Sequence, residues 1–264
     1  MDPILVTVGG YPVYRYSVLL DAGVAAGVGL AAWLARRQGL PLVAFLDAAL
    51  WALAAAFVGA RAHYVLAHWD EYVPRPLNAV NVWEGGLALP GAVTAGALAA
   101  WPAARLAGLR PGRALDAAAP AVALGQAVGR LGCLTAGCAF GASVEEGAAV
   151  LALALPDASG VVAHRFPSQP VEAAGEVLLS AALLALWARR PRPGTVAAAY
   201  LAGYGLLRAA LEPFRGDSTY LAGLPLAQVW ALLALALGVA FLAGLHFRGR
   251  AAASPRRSTI GAPE

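Results

Sequence analysis

The sequence predicts an all-α polytopic membrane protein of about seven transmembrane helices. Its amino end lies outside, its carboxyl end in the cytoplasm, and a small external cap sits between spans. Three observations predict this. Of 264 residues, 60% are hydrophobic and only 13% charged, about half the charged share of a soluble domain, so most of the surface does not face water. Apolar runs close to the roughly 20 residues that cross a bilayer core as a helix recur at 17–35, 41–66, 87–104, 114–134, 171–188, 195–212 and 225–247. Arginine clusters fall in alternate connections, as cytoplasmic loops require. Arg36 and Arg37 follow the first span, and Arg105, Arg110 and Arg113 the third. Arg189, Arg190 and Arg192 follow the fifth, and Arg248, Arg250, Arg256 and Arg257 the seventh. The intervening loops carry Asp70, Glu71, Glu84, Glu145, Glu146, Asp157 and Asp217 instead.

Taken in order, segment 1–16 contains Gly9-Gly10-Tyr11-Pro12 and alternates enough to lie along the outer interface. Met1-Asp2-Pro3 lacks a basic n-region, so no cleavable signal peptide is expected. The third span is the most interrupted, by Pro90 and neighbouring glycines, which membrane helices tolerate. Segment 135–169 is the longest outside and forms the cap. Residues 1–250 make one transmembrane domain, and 251–264, polar with Pro and Arg, a disordered cytoplasmic tail. Asp47 and Asp116, near the inner ends of spans two and four, cap helices or pair with loop arginines. Mean hydropathy is +0.66 and the isoelectric point about 9.4. All basic side chains are arginine, placed between apolar segments, which points to a membrane partner and not to nucleic acid.

An ionisable group inside a bilayer costs roughly 2.5–3.5 kcal/mol on insertion scales, so each needs a reason. Asp21, Arg61, Arg130, Glu172, Glu176, Arg208 and Glu212 all fall toward the outer ends of their spans. Arginines and acids at one depth predict a shared polar cavity level with the outer leaflet's phosphates, since guanidinium binds phosphate bidentately and stays charged. Structural ion pairing is the alternative. Tyr204, Arg208 and Glu212 are spaced by four and share a helix face, with Glu212 holding Arg208. Arg130 follows Gly125-Gln126-Ala127-Val128-Gly129, where small residues let a helix or lipid approach. Arg61 is free to snorkel outward. Cys133 and Cys138 lie where span four meets the outside, as a local disulfide or as free thiols. His63, His68, His164 and His246 show no metal-ligand spacing, and no metal or other cofactor is expected.

The chain resembles the prolipoprotein diacylglyceryl transferase family. The resemblance rests on Asp116-Ala-Ala-Ala-Pro120 followed by Ala123-Leu-Gly-Gln-Ala-Val-Gly-Arg-Leu-Gly132. It rests also on Tyr14-Arg-Tyr16, Gly59-Ala-Arg61-Ala-His-Tyr-Val65 and Trp83-Glu-Gly-Gly-Leu87. Arg165-Phe-Pro-Ser-Gln169 with Glu172, Gly203-Tyr-Gly-Leu-Leu-Arg208 with Glu212, and Gln228 complete it. It implies a cytoplasmic-membrane enzyme that moves the diacylglyceryl group of phosphatidylglycerol onto the lipobox cysteine of prolipoproteins, releasing glycerol phosphate. It further implies that Arg130 binds the head group, that Arg208 stabilises the phosphate, and that Tyr16 and Tyr204 line the site. Glu212 joins these as a catalytic candidate, and Arg61, Gln126, Ser168 and Gln169 as substrate-binding ones.

Three departures accompany the resemblance. Pro90 stands where the family has a histidine, Cys133 where it has Asn, and Gln169-Pro-Val-Glu172 replaces Gln-Leu-Tyr-Glu. His63, Glu84 or Glu212 is then the replacement base, or the cationic site lowers the thiol pKa without one. Two other readings are a catalytically impaired relative that binds anionic phospholipid, and a transporter or membrane thiol oxidoreductase built around Cys133 and Cys138.

Overall fold

The computed structural model describes residues 4–82, 86–145, 151–221 and 223–253. Its long helices are α1 (Arg15–Arg37), α2 (Leu42–Ala67), α4 (Leu89–Leu106), α5 (Pro111–Ala136), α6 (Ser168–Ala188), α7 (Thr195–Leu211) and α8 (Leu226–Ala253), with the one-turn α3 (Trp69–Tyr72) after α2. Each expected span falls on one long helix. Five are long and apolar enough to cross a membrane: α1, α2, α5, α6 and the Leu226–Phe247 part of α8. The chain is therefore a multi-pass membrane protein. At 18 and 17 residues, α4 and α7 are the shortest of the set. α7 gives way to a 3-10 turn, Glu212–Phe214, because Pro213 lacks the N–H that another helical turn needs. Pro90 does not interrupt its helix. It lies in the first turn of α4, where a missing N–H costs nothing.

The all-α expectation holds for the body and fails at its rim. Three antiparallel hairpins stand there among the described residues: β1 (Ile4–Val8) with β2 (Tyr11–Tyr14), β3 (Leu153–Pro156) with β4 (Val162–Arg165), and β5 (Tyr220–Leu221) with β6 (Leu224–Pro225). Gly9 and Gly10, at φ +57° and +88°, form the tight turn between β1 and β2. A Gly-Gly pair between alternating runs is a hairpin signal, so this one was readable. α8 continues to Ala253, so residues 251–253 are helical. Residues 254–264 lie outside the described residues.

Helix α5 is the axis of the bundle. α1 packs along one side of it, α6 and α7 along the other, while α2 pairs with α4 and α7 with α8. Small residues set the closest approaches. A Cβ on Gly23 would stand 2.9 Å from the carbonyl oxygen of Gly125, so α1 and α5 meet backbone to backbone. Gly59 and Gly91 do the same for α2 and α4. The expected close approach at Gly125 is thus made by α1, whereas Gly129 faces open space. One buried core joins Leu34 and Ala35 of α1, Phe45 and Ala48 of α2, Ala103 and Ala104 of α4, Leu109 of the loop, and Ala114 and Ala117 of α5. It ties the α2/α4 pair to the bundle at the end away from the cap. A second core, Ala119, Ala123, Leu183 and Val196, fills the space between α5, α6 and α7.

Asp116 acts as a cap across helices. From α5 it accepts hydrogen bonds from the backbone N–H of Gly194 at 2.7 Å and of Ala197 at 2.9 Å, satisfying the open N-terminus of α7. Asp116 is buried, so removing it strands two donors. Asp116→Ala should cost about 1–3 kcal/mol, with Asp116→Asn losing less, read as thermal unfolding of the purified protein in detergent.

Candidate functional site

Helix α5 ends at Gly137, whose φ of +70° reverses the chain. The returning turn is pinned by the start of α6. The Ser168 hydroxyl donates to the carbonyl of Ala139 at 2.7 Å, and Gln169 Nε2 to that of Cys138 at 3.0 Å. Both side chains are fully buried. In the structure these two expected substrate-binding residues donate to the backbone and position the turn. Continuing along α6, Glu172 and Glu176 follow one and two helical turns in, on the face turned toward α5 and α7.

Glu172 is the hub. Its Oε2 lies 2.9 Å from Arg130 Nε of α5 and 3.5 Å from Arg215 Nη1, and its Oε1 lies 3.3 Å from Arg208 Nη1 of α7. Each arginine also has an acid of its own. Arg208 pairs with Glu212 at 2.6 Å, as the four-residue spacing predicts, and Arg215 with Asp217 at 2.7 Å. Arg130 Nε lies 3.8 Å from Glu176 Oε1. The second oxygen of Glu212 accepts from the Ser218 hydroxyl at 2.7 Å. Glu172, Glu176 and Glu212 are each no more than 2% exposed. In such a medium charges survive only in compensated sets.

Tyr204 stacks on Tyr200, centroids 5.8 Å apart, and the Tyr200 hydroxyl donates to Gln126 Oε1 at 2.9 Å. Gln126 of α5 is thereby tied to the same α7 face as Arg208. Tyr16 opens α1 and lays its ring over Gly132: a Cβ there would lie 3.4 Å from it. This brings Tyr16 within electrostatic reach of Arg130 and Cys133. Both cysteines are free, and the Cys138 thiol contacts the Cys133 carbonyl at 3.8 Å, so of the two expected states the structure holds the free thiols.

Arg61 belongs elsewhere and does not snorkel. Its guanidinium donates to the carbonyls of Ala79 at 2.8 Å, Gly86 at 2.9 Å and Asn78 at 2.7 Å, between the rings of Tyr64 and Tyr72. It knits the connection between α2 and α4. His63 packs its Cβ against Gly91 in the α2/α4 contact, and Glu84 lies outside the described residues. Three members escaped the sequence reading. Tyr200 extends the four-residue series by one turn. Arg215 and its partner Asp217 lie just beyond α7, and the signal was an arginine in an otherwise acidic connection.

The cap holds Arg215 in place. Ala142 N–H donates to the Phe214 carbonyl and Gly216 N–H to the Phe140 carbonyl, each at 2.9 Å, and Phe166 stacks on Phe214 at 4.8 Å. Val144 N–H donates to His164 of β4 at 2.9 Å. Arg165, also of β4, pairs with Asp157 at 2.9 Å and lies over the Phe140 ring at 4.8 Å. The Ser159 hydroxyl, the N–H groups of Val161 and Ser159, and the Arg165 guanidinium together hold the Asp157 carboxyl below the usual carboxylate range.

Fold and site together define a class: a multi-pass helical membrane protein with a buried cluster of paired arginines and carboxylates beneath a small cap. The prolipoprotein diacylglyceryl transferase family model matches residues 3–244. Among relatives, a phosphatidylglycerol–prolipoprotein diacylglyceryl transferase of Nostoc sp. is 33% identical over 265 residues, covering 94% of this chain and 90% of the relative. Proteins of that name from Synechocystis sp. and Gloeobacter violaceus are each 32% identical. They cover 92% and 96% of this chain, and 89% and 96% of their own lengths. The chain belongs to the prolipoprotein diacylglyceryl transferase family.

Two outcomes follow from this geometry. Glu172→Ala leaves three buried guanidinium groups short of a partner and should destabilise the protein by about 3–5 kcal/mol, measured by thermal unfolding in detergent. Because the Asp157 pKa is depressed on folding, its contribution to the cap is present above the ordinary Asp value of about 3.9 and is lost as pH falls through the lowered pKa. Protease cutting within residues 151–166 should stay slow at neutral pH and rise below about pH 4. Asp157→Asn should cut faster at neutral pH and flatten that dependence.

Proposed function

We propose that this chain transfers the diacylglyceryl group of phosphatidylglycerol to the lipobox cysteine of prolipoproteins, as an enzyme of the bacterial cytoplasmic (inner) membrane. Seven spans carry it, with the amino end outside and the carboxyl end in the cytoplasm. The α4 and α7 spans, shorter than the rest, stand inside the bundle's helix pairs, and the alternating arginine loops support the orientation.

One observation carries this reading. Arginines from two helices and from the turn after α7 converge on a single buried carboxylate. A carboxylate bonded to several guanidinium groups occupies the kind of position a lipid phosphodiester takes, since both are anions whose charge is shared by two oxygens that accept paired N–H donors. Glu172 thus keeps the arginines aimed and charged until phosphatidylglycerol arrives, and the phosphate then takes over donors from it. Arg130 and Arg208 bind and stabilise the phosphate. Tyr16, Tyr204 and Gln126 line the space around it, and Glu212 fixes Arg208. As the cysteine sulfur bonds to the glycerol carbon, the carbon–oxygen bond breaks and charge grows on the departing phosphate. Fixed cations at that point lower the barrier, and holding lipid and thiol together supplies much of the rest.

Pro90 in the family's histidine position favours a second reading, a relative that binds anionic phospholipid without turnover. Complementation separates the two. In cells depleted of their own transferase, wild type should restore lipidated prolipoprotein. Arg130→Ala and Arg208→Ala should each fall by about 100-fold or more in the purified reaction, the scale of losing a transition-state donor. Lipid binding with no lipidation by wild type would select the second reading, and full rescue by Arg130→Ala would refute the arginine mechanism.

A further inference from the structure

The reaction proposed above moves a proton as well as a lipid group, and the inference drawn here rests on that reading. The acceptor cysteine arrives as a thiol. Its sulfur–hydrogen bond and the glycerol carbon–oxygen bond break, a carbon–sulfur bond forms, and the carbon–oxygen electron pair leaves on the phosphate. Glycerol phosphate departs with the thiol's proton on a phosphate oxygen, so atoms and charge balance with no further reactant. A side chain between sulfur and phosphate is placed to carry that proton.

Three buried carboxyl groups adjoin the arginines, and their partners differ. Glu172 has three guanidinium groups on its two oxygens. Glu212 Oε2 also lacks an aligned hydrogen bond but sits in a 2.6 Å ion pair with Arg208, and its Oε1 accepts from the Ser218 hydroxyl. Glu176 has one loose contact, 3.8 Å from its Oε1 to Arg130 Nε, while its Oε2 is buried and has no hydrogen-bond partner among the described residues. At 1% exposure it is also closed off from solvent. A buried carboxylate oxygen with nothing bonded to it calls for an explanation, and proton exchange with a substrate supplies one.

Depth agrees with this assignment. Glu176 lies four residues after Glu172 on α6, about 6 Å further from the cap at 1.5 Å per residue. In a phospholipid the glycerol carbon under attack lies on the acyl-chain side of the phosphate. With the phosphate at the arginine hub, the thiol reaches the level below it, where Glu176 stands. Arg130 and Cys133 face Glu176 from α5, Glu172 from its own helix, and Arg208, Tyr204 and Tyr200 from α7.

We infer that Glu176 is the proton carrier of the reaction, accepting the proton of the acceptor cysteine and returning it to the departing phosphate. The test uses full-length protein with phosphatidylglycerol and a lipobox peptide carrying either cysteine or selenocysteine, whose selenol is already ionised at neutral pH. Glu176→Gln keeps the side chain's shape and should lower turnover of the cysteine peptide by about 100-fold or more, with both KM values within about threefold of wild type. The deficit should shrink to about tenfold or less with the selenocysteine peptide. Glu176→Asp keeps the carboxyl group and should lie between the two. Glu176→Gln within about threefold of wild type on the cysteine peptide overturns the inference. So does an equal loss on both peptides while Glu176→Asp retains activity. Either result leaves the transferase reading standing, whereas no transfer by wild type overturns both.

Discussion

Three guanidinium groups withdrawn from water at this site each need a compensating acid, and one carboxylate, Glu172, serves all three. Much else in the structure follows from placing that group. Helix α6 must begin close to the returning end of α5, so Ser168 and Gln169 grip the turn at Cys138 and Ala139. Gly137 must reverse the chain within one residue. Segment 214–216 must be held against the cap, because Arg215 reaches Glu172 from outside any long helix. Without the hub, each of these arginines would be a buried charge with a weaker partner.

The same arrangement suits a site for an anionic lipid head. Arginines that are already aimed need no reorganisation when a phosphate replaces a carboxylate, and donors fixed before the reaction favour its transition state over its ground state. In the proposed reading the acids keep the cations desolvated, oriented and compensated until a phosphate takes donors over from Glu172, and Glu176, loosely held, keeps one oxygen for the proton.

How much of this was legible in the sequence depended on direction. Depth along the bilayer normal is readable, because hydropathy and arginine loops give each residue a height. The seven long helices follow from that, and the spacing by four puts Tyr204, Arg208 and Glu212 on one helix face. Azimuth is not readable, because residues at one height face different neighbours according to helix packing. Arg61 shares the height of Arg130 but sits on the α2/α4 pair, so it fastens a loop and does not join the cluster. A motif containing Ser168 and Gln169 does not reveal whether their polar groups meet backbone or ligand. Arg215 was missed because it lies past the helix end, where periodicity stops. The sequence leaves Asp116 as a helix cap or a partner of loop arginines, and only the fold shows that it caps the start of α7.

The central claim, that a lipid phosphate takes the arginines over from Glu172, is tested most directly by an experimental structure in a bilayer nanodisc of phosphatidylglycerol. The account predicts phosphate oxygens within hydrogen-bonding distance of Arg130 and Arg208, with at least one of the three arginine contacts to Glu172 given up. A head group bound elsewhere, with every contact to Glu172 intact, would contradict it.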